Sequence, residues 1–437
     1  MGERRGRAMR VTIITAGSRG DVQPYVALGM GLKRAGHKVA IATHETFREG
    51  VTQYGLEFAP ISGDPRAIVA SPASDRWLVS GRMRDMLSAG REFARGMRSL
   101  MDALLADYWR VSQGSDLVIF SAVAAPAWSV AERLGIPAVG AFLQPLHRTR
   151  EFPAIGLPSG IRLGGRFNVA THVITQQLAW QPFRRQINAW RRTTLGLAPM
   201  PMRGPYARGP RQAIPTLYAF SPLVVREPRD WGPSIRVTGY WILEVDPAWR
   251  PSPELEAFLA DGPPPTYVGF GSMTPSNAQR CTSIVLEALR RTRQRAVLVR
   301  GWGRLGCGTL PDTVLAIDDA PHEWLLPRMA AVVHHGGSGT TAAALRSGVP
   351  SIVVPMGFDQ PYWAARVAAL GAGPAACHRR HLNAEWLASA IQCALSDQPM
   401  RARATEIGRQ LRSERGVDVA VAALHEIASG DRSNMTA

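Results

Sequence analysis

The residues from 331 to 341 read Ala-Val-Val-His-His-Gly-Gly-Ser-Gly-Thr-Thr, and they contain the clearest indication of the fold. A short apolar run ends in a glycine-rich turn, and an alanine-rich helical pattern follows it directly. A strand, a tight turn and a helix in this order are typical of parallel α/β sheets, which bind ligands at the carboxyl ends of their strands. The next apolar run, 351–355, leads into a loop with adjacent Asp359 and Gln360. We therefore expect both loops at one edge of a parallel sheet.

The glycine-rich turn has the chemistry of an anion site. Glycines let the backbone approach a ligand closely, and the start of the helix offers free N–H groups and a positive dipole end. His335 and the hydroxyl groups of Ser338 and Thr340 add further donors. Thr340 stands where a Walker motif requires lysine, and the glycine spacing differs from the dinucleotide fingerprint, so neither of those motifs is present. A turn that only connects the strand to the helix is the alternative.

Asp359 and Gln360 have the chemistry of a sugar site. An adjacent carboxylate and amide at a loop–helix junction can hydrogen-bond several vicinal hydroxyl groups, which is what a hexose presents. In the alternative interpretation, Asp359 only caps the helix that starts at Pro361.

Alternation of strand and helix extends over most of the chain. Apolar runs at 11–16 and 39–43 flank a helical pattern with the length of a right-handed parallel crossover, and runs at 117–121 and 138–142 predict further strands. The alternation resumes after a segment rich in proline, glycine and tryptophan. This organisation predicts an α/β protein with two facing Rossmann-like domains and an interdomain cleft. The predicted parts are an amino-terminal domain (1–230), a linker (231–265), a carboxy-terminal domain (266–415) and a last helix and tail (416–437) that packs back toward the first domain.

The charge balance does not by itself indicate a nucleic-acid partner. The chain of 437 residues has a formal net charge of +17, but its only lysines are Lys33 and Lys38. Such a preference for arginine is typical of a GC-rich coding sequence, and the excess is spread along the chain except near 4–10 and 184–192. We expect no nucleic-acid partner, and a weak attraction to anionic lipids or anionic substrates stays open.

The cysteines and the apolar segments predict a cytoplasmic protein. The four cysteines have neither zinc-site spacing nor a disulfide framework, which favours a reducing compartment. The basic start is followed by only six apolar-rich residues, too few for a secretory signal, and no run of 18 uncharged apolar residues exists. We expect no stable membrane span, at most peripheral membrane contact, and a monomer or weak dimer.

The stretch from Ala320-Pro321-His322 to Asp359-Gln360 resembles the donor-binding signature of glycosyltransferase family 1. The resemblance implies the GT-B fold, with an amino-terminal domain for an acceptor and a carboxy-terminal domain for a nucleoside-diphosphate sugar. It implies diphosphate contacts from His335, Thr340 and the backbone of Gly337 and Gly339, and hexose contacts from Asp359 and Gln360.

The expected recognition of the nucleotide base departs from the plant branch of that family. There a tryptophan in front of Ala-Pro stacks on the base, and this chain has Asp319 instead. Trp302 is the best substitute for stacking, and the backbone near Ala320 is the expected reader of the base edge. Ser272 matches the family's strand-to-loop serine near the phosphates. UDP-glucose is the expected donor, with thymidine-diphosphate sugars as the alternative.

The loop Gly17-Ser18-Arg19-Gly20-Asp21-Val22-Gln23-Pro24 resembles one in the bacterial antibiotic and sterol glycosyltransferases. In that branch an aspartate is the catalytic base, so the resemblance implies that Asp21 is the base and that Ser18 positions the base or the acceptor. We expect the following helix to begin at Pro24. Gln144 and His147 follow the run 138–142 and are candidate acceptor contacts, with His147 also the alternative base.

The chemistry implied by these resemblances is an inverting single displacement of the nucleoside diphosphate by an acceptor hydroxyl. No metal or other cofactor is expected, because Asp318-Asp319 lacks the Asp-x-Asp spacing of metal-dependent transferases. A nucleotide-sugar-binding accessory protein and a GT-B epimerase are the alternatives. The first domain has tryptophans suited to a large apolar acceptor such as a sterol or a polyketide, although each could equally be an ordinary core residue. They are Trp77, Trp109, Trp128, Trp180 and Trp190.

Overall fold

A computed structural model of the chain describes residues 8–64, 83–157, 163–207, 213–271, 275–301, 305–306, 308–377 and 381–429. Within these residues, two parallel β-sheets, one of seven strands and one of five, form two α/β domains. The predicted fold class is therefore confirmed. Short 3-10 helices lie at Glu45–Phe47, Ala122–Ala127, Gly204–Ala207 and Leu326–Arg328.

The first domain is built on the seven-stranded sheet. Its strands are β1 (Arg10–Ile14), β2 (Lys38–His44), β3 (Glu57–Ile61), β4 (Leu117–Phe120), β5 (Ala138–Phe142), β6 (Thr216–Tyr218) and β7 (Ile235–Val237). Its helices are α1 (Arg19–Arg34), α2 (Arg48–Thr52), α3 (Met83–Val111), α4 (Trp128–Leu134), α5 (Gly165–Trp180) and α6 (Arg184–Thr193). Val11 and Ile13 of β1 enter one apolar cluster and Ile14 enters another, so both faces of the sheet are buried.

The second domain is built on the five-stranded sheet. Its strands are β8 (Thr266–Gly269), β9 (Ala296–Val299), β10 (Val314–Ile317), β11 (Ala331–His334) and β12 (Ser351–Val353). The helices of this part of the chain are α7 (Pro253–Ala260), α8 (Pro275–Thr292), α9 (His322–Leu325), α10 (Ser338–Ser347), α11 (Gln360–Ala369), α12 (Ala384–Ser396), α13 (Gln398–Ser413) and α14 (Gly416–Ala428).

The strand orders fix where a ligand can bind. The first sheet runs β3-β2-β1-β4-β5-β6-β7 and the second runs β10-β9-β8-β11-β12. The order therefore reverses between β1 and β4 in the first sheet, and between β8 and β11 in the second. In open parallel sheets such a reversal opens a crevice at the carboxyl ends of the strands. The loops that follow β1 and β11 lie at these two crevices.

Three strands of the first domain were not predicted. The edge strand β3 contains Pro60, which reads as a turn residue but is tolerated where no hydrogen-bonding neighbour is needed on one side. The strands β6 and β7 have three residues each, too few for a periodic signal.

The predicted linker, 231–265, was wrong at both ends. Strand β7 pairs with β6 and so extends the first domain to Val237. Helix α7 belongs to the second domain, because Leu255 enters an apolar cluster with Tyr267 and Leu325 of that domain. The connection between the two domains is therefore shortened to 238–252.

The start of α1 also differs from the prediction. The helix begins at Arg19 with Ser18 as its N-cap, and Pro24 lies inside it. Proline is favoured at the first helical position, which suggested the later start. The reciprocal pairing of Ser18 with Asp21 is a capping box and sets the actual start. Asp21 is therefore a residue of the first helical turn and not of a loop.

The two domains are joined beside the cleft by a shared apolar cluster. It includes Phe220 from the first domain, Tyr240 from the connection and Trp363 from the second domain. The Arg366 Nε donates a hydrogen bond to the Val224 carbonyl across the same boundary (2.6 Å). Helix α14 then returns to the first domain and packs on α1 through its apolar face. None of the described helices is both long enough and apolar enough to cross a lipid bilayer.

Candidate active site

The turn between β1 and α1 brings a carboxylate to the edge of the first sheet. Gly17 has φ of +132°, and a Cβ there would lie 2.5 Å from Asp21 Oδ2, so glycine is needed for the Asp21 side chain to fold back over the turn. Asp21 Oδ2 accepts hydrogen bonds from the Ser18 backbone N–H (2.8 Å) and from the Ser18 hydroxyl (2.9 Å). The Thr15 hydroxyl donates to the Asp21 carbonyl (2.7 Å). The two bonds from Ser18 hold the carboxylate in one orientation, and the bond from Thr15 fixes the backbone of Asp21.

The environment of Asp21 shifts its acidity toward neutral pH. Burial raises the pKa of the Asp21 carboxyl to about 6, and the negative charge of Asp359 adds to the rise. The two hydrogen bonds from Ser18 oppose the rise because they stabilise the charged form. A carboxylate with a pKa near 6 is mostly ionised at pH 7 and is a stronger base than an exposed aspartate.

The turn between β11 and α10 carries two histidines in different settings. His334 is fully buried, and its Nδ1 accepts a hydrogen bond from the Gly336 N–H (3.1 Å). The His335 ring lies against Gly337, where a Cβ would be 2.6 Å from His335 Nε2. Burial lowers the pKa of His334 to about 3 and the pKa of His335 to about 4. Both rings are therefore neutral at pH 7, where His335 is a hydrogen-bond donor and not a cation.

Helix α10 begins with an open end. Its N-cap is Gly337, and no side chain caps the first turn. The N–H groups of a first helical turn have no partners within the helix, so they are available to an anion. The beginning of α1 lies opposite, since a Cβ at Gly339 would be 3.9 Å from both the Cα and the carbonyl oxygen of Gly20. Asp21 and the open end of α10 thus face each other across the cleft.

The predicted sugar-binding aspartate is held by both domains. Asp359 Oδ2 accepts hydrogen bonds from the Trp363 indole (2.9 Å) and from the Gln144 amide of the first domain (3.1 Å). Burial raises the pKa of Asp359, and these two hydrogen bonds partly oppose the rise. Asp359 is the N-cap of α11, but its side chain makes no capping hydrogen bond. The interpretation that Asp359 only caps the helix is therefore wrong.

The side-chain oxygen of Gln360 fixes the backbone of the loop before α11. Its Oε1 accepts hydrogen bonds from the backbone N–H groups of Met356 (2.7 Å) and Gly357 (3.1 Å). Its Nε2 can still donate to a ligand. Between these residues the exposed Phe358 has φ of +55°, which is unusual for a bulky residue and is a strain typical of functional loops.

An ion pair and a Tyr–His contact lie where the family resemblance places the nucleotide base of the donor. Arg19, the first residue of α1, forms an ion pair with Asp319 of the second domain (2.5 Å), and both side chains are about half exposed. Nearby, the Tyr267 hydroxyl and His322 Nε2 are 3.1 Å apart. Ala320 follows Asp319 and is buried in the core of the second domain. This ion pair of Arg19 with Asp319 was not predicted.

Two predicted donor contacts, Ser272 and Trp302, lie outside the described residues. The residues next to them, Gly271 and Gly301, touch, because a Cβ at Gly301 would overlap the Gly271 carbonyl. The loops after β8 and β9 thus meet at the carboxyl edge of the second sheet. The predicted roles of Ser272 and Trp302 stay predictions.

The two candidate acceptor residues are both engaged within the protein. Gln144 binds Asp359, as described above. His147 Nδ1 lies 2.6 Å from the Tyr218 hydroxyl, and its ring stacks on Phe142. Burial lowers the pKa of His147 to about 4. These contacts make His147 a weaker candidate base than Asp21, and acceptor contact by Gln144 or His147 stays a prediction.

The tryptophans of the first domain are mostly core residues. Trp128, Trp180 and Trp190 are buried in one apolar cluster, and Trp109 packs against it. They contribute to the stability of the domain and do not form an exposed acceptor surface. Trp77 lies outside the described residues. Sequence reasoning also missed Trp363, whose only signal was its position four residues after Asp359 on a helix.

Each domain matches a known family. Residues 11–153 match the N-terminal domain of glycosyltransferase family 28. Residues 287–424 match the C-terminal domain of the erythromycin biosynthesis protein CIII-like family. The chain is 39% identical over 430 residues to a sterol 3-beta-glucosyltransferase of Penicillium rubens, which covers 95% of this chain and 30% of that protein. The chain spans less than a third of the length of these curated relatives.

Solved structures resemble the chain over nearly its whole length. The glycotransferase of kitacinnamycin superposes with a TM-score of 0.67 at 19% identity, covering 96% of this chain and 99% of that one. The glycosyltransferase VinC in complex with dTDP superposes with a TM-score of 0.64 at 20% identity, covering 97% of this chain and 100% of that one. At these identities the likeness shows the fold, which is the predicted GT-B arrangement.

Proposed function

We propose that this chain is a family 1 glycosyltransferase with the GT-B fold, and that it transfers a hexose from a nucleoside-diphosphate sugar to a hydroxyl of a large apolar acceptor. The observation that carries this proposal is the pair of helix ends across the cleft. One holds Asp21 with its raised pKa, and the other offers the uncapped N-terminus of α10 to an anion. Asp359 and Gln360 lie beside that anion site on the next loop of the same sheet.

In the proposed reaction Asp21 is the general base. Its carboxylate takes the proton of the acceptor hydroxyl as that oxygen bonds to the anomeric carbon from the face opposite the diphosphate. The bond between the anomeric carbon and the diphosphate oxygen breaks in the same step, so the configuration inverts. The N–H groups at the start of α10 and the neutral His335 stabilise the charge that develops on the leaving diphosphate. These groups supply the electrostatic stabilisation without a metal.

The donor sugar is proposed to bind Asp359 and Gln360. The bonds from Gln144 and Trp363 fix the Asp359 carboxylate, so little side-chain entropy is lost when a sugar hydroxyl binds it. Glucose is the favoured hexose and UDP the favoured carrier. The name of the Penicillium rubens relative supports glucose, and a sterol is favoured over a polyketide acceptor because that relative is far more similar than the antibiotic transferases.

The predicted cytoplasmic location is part of the proposal. Cys281 and Cys393 are free thiols that form no disulfide bond. Such thiols are typical of reducing compartments. A cytoplasmic enzyme also has direct access to nucleotide sugars.

The test is an activity screen with UDP-glucose and, separately, dTDP-glucose against sterol, macrolide and phenolic acceptors. Mass spectrometry should detect a sterol product heavier by one hexose with UDP-glucose, and NMR should show a β-linkage from the α-linked donor. Addition of EDTA should leave the rate unchanged. A retained α-linkage would overturn the inverting mechanism, and loss of activity with EDTA would overturn metal independence. Donor turnover without any acceptor product would instead support an epimerase or a hydrolase.

A further inference from the structure

One segment of the first domain carries most of the excess positive charge. Residues 152–226 contain ten arginines and no lysine, aspartate or glutamate, which gives the segment a formal charge of +10 out of +17 for the chain. The segment is about a sixth of the sequence, so the charge is far more concentrated here than elsewhere. It includes α5, α6 and the 3-10 helix Gly204–Ala207. The sequence pattern had suggested only a local arginine cluster at 184–192.

Within this segment, α5 has its polarity reversed. The side chains of Asn168, Thr171 and His172 are buried and face the protein. Each is hydrogen-bonded to the neighbouring loop: Asn168 Nδ2 donates to the Arg150 carbonyl (2.8 Å), and Thr171 Oγ1 accepts from the Ala154 N–H (2.9 Å). A surface helix normally buries its apolar side and exposes its polar side. In the first half of α5 polar side chains attach the helix to its domain, and at its end the buried Trp180 packs into the apolar core.

The outward side of α5 is apolar. Ile174 is 59% exposed and Leu178 is 71% exposed, one helical turn apart on the same side. Leu163, just before the helix, is 66% exposed, and Met202 is 64% exposed. Met202 lies next to the end of α5, because its carbonyl accepts hydrogen bonds from the Trp180 indole (3.0 Å) and the Gln181 amide (2.9 Å). We call these four side chains the α5 stripe.

The stripe accounts for half of the large hydrophobic side chains that are exposed in the described residues. The others are scattered at Val123, Leu223, Phe358 and Val419. Isolated exposed apolar residues are normal, whereas a group of them indicates an interaction surface. Arginines accompany the group: Arg166 is exposed on α5, and Arg203 is exposed beside Met202.

We propose that the α5 stripe and its arginines dock on the surface of an anionic lipid bilayer. Apolar side chains at the level of the lipid acyl boundary, combined with arginines that reach the headgroups, are the properties of a helix that lies in a membrane interface. The positive charges of the exposed Arg166 and Arg203 match anionic headgroups. This inference goes beyond the proposed function, because it concerns a surface that is separate from the donor site.

Two other occupants fit the surface less well. A symmetric dimer through this face would bring the exposed Arg166 and Arg203 of both copies close together, which electrostatic repulsion opposes. A nucleic acid would match the charge but would leave the aliphatic stripe without a partner, since phosphate contacts dominate that kind of binding. The bilayer satisfies both the charge and the apolar area.

The test is co-sedimentation of the full chain with vesicles of phosphatidylcholine alone or with added phosphatidylglycerol. We expect wild-type binding to the mixed vesicles, weakened by salt, and little binding to pure phosphatidylcholine. The double substitution Ile174→Asn with Leu178→Gln should lower the partition coefficient at least tenfold. Arg166→Gln and Arg203→Gln should each lower it about fivefold. The matched control is Val419→Gln, at a 49% exposed position on α14, and it should bind as the wild type does.

Every result of this experiment bears on the proposal without requiring donor, acceptor or catalysis. Failure of the membrane proposal is therefore distinguishable from failure of the proposed function. Absence of wild-type binding to the mixed vesicles would overturn it, as would equal binding by the Ile174/Leu178 double variant. Analytical ultracentrifugation should give the same oligomeric state for the wild type and for the Ile174/Leu178 double variant. A wild-type dimer that the double substitution abolishes would contradict the proposal. Such a dimer would assign the stripe to a second copy of the chain. Equal thermal unfolding midpoints would show that the variants are folded.

Discussion

Helices α1 and α10 are placed alike but begin differently. Each follows a strand next to the reversal of strand order in its sheet, and each begins after a turn that contains glycine. The first turn of α1 is capped by Ser18 and Asp21 from the chain itself. The first turn of α10 begins with Gly337 and has no side-chain cap. The helix N-terminus is therefore occupied by side chains in the first domain and open to a ligand in the second.

One backbone arrangement thus serves two chemical purposes in this protein. A helix N-terminus stabilises negative charge, whether the charge belongs to the protein or to a ligand. In α1 the charge is the Asp21 carboxylate, and burial still raises its pKa to about 6, so the carboxylate becomes a better base. In α10 the position is kept for the ligand, and the His335 ring packs where a larger residue at 337 would lie.

The largest expected effect comes from removing the charge at the filled helix end. Asp21→Asn should lower kcat by about 10²- to 10⁴-fold, because the acceptor hydroxyl loses its general base. The dissociation constant for UDP, measured by calorimetry, should not change, because the open end of α10 is untouched. The control is Asp418→Asn, at an exposed carboxylate on α14. Turnover by Asp21→Asn within tenfold of the wild type would remove Asp21 from its proposed role.

A second pair of substitutions tests the open end of α10. Gly337→Ala should weaken UDP binding by about tenfold, equivalent to ~1.4 kcal/mol, because the new methyl group would lie 2.6 Å from His335 Nε2 and displace the ring. Gly20→Ala, at the opposite helix end, has only the Ser18 hydroxyl oxygen within 4 Å, at 3.8 Å, and should keep the wild-type affinity. Equal affinities for the two variants would show that His335 does not hold the diphosphate.

The third prediction concerns pH. Since the base acts only when deprotonated, kcat/KM should fall tenfold per unit as pH drops below the Asp21 pKa of about 6. Ser18→Ala removes one hydrogen bond that stabilises the carboxylate, so the same limb should move to higher pH by roughly one unit. A limb that stays in place after Ser18→Ala would separate Ser18 from the base.

The smallest effect is expected at the ion pair between Arg19 and Asp319, which links the first domain to the second. Arg19→Gln should change the free energy of unfolding by less than about 1 kcal/mol, because the pair with Asp319 is half exposed and screened by water. Denaturant unfolding measures the change, and Arg300→Gln, which removes an exposed pair within the second domain, is the matched control. A loss above about 2 kcal/mol for Arg19→Gln alone would mean that the pair holds the cleft closed.

Elements could be predicted from the sequence where all residues of a motif are contiguous. The strand, glycine turn and helix at 331–347 were recognisable because each has a short-range pattern, and their placement at a sheet edge follows from parallel topology. The start of α1 was misplaced because Pro24 outweighed the capping pair Ser18 and Asp21 in the prediction. The strands β6 and β7 were missed because three residues carry no period.

Contacts between distant parts of the chain were beyond the sequence. Gln144 and Asp359 are 215 positions apart, so nothing local links the amide of one domain to the carboxylate of the other. The reversed polarity of α5 was equally hidden, because an apolar pattern shows that a helix has an apolar side but not which side faces the protein.

Two parallel α/β domains, the glycine turn at Gly336-Gly337 and the adjacent Asp359 and Gln360 after the next strand could all be predicted from the sequence, whereas the choice of Asp21 came from a family resemblance. These follow from residue spacing and backbone chemistry, which act over a few positions. The folded chain was needed to show the burial that raises the pKa of Asp21 and the approach of the starts of α1 and α10 across the cleft. Burial and the meeting of helices depend on how distant segments pack, and packing is a property of the whole fold.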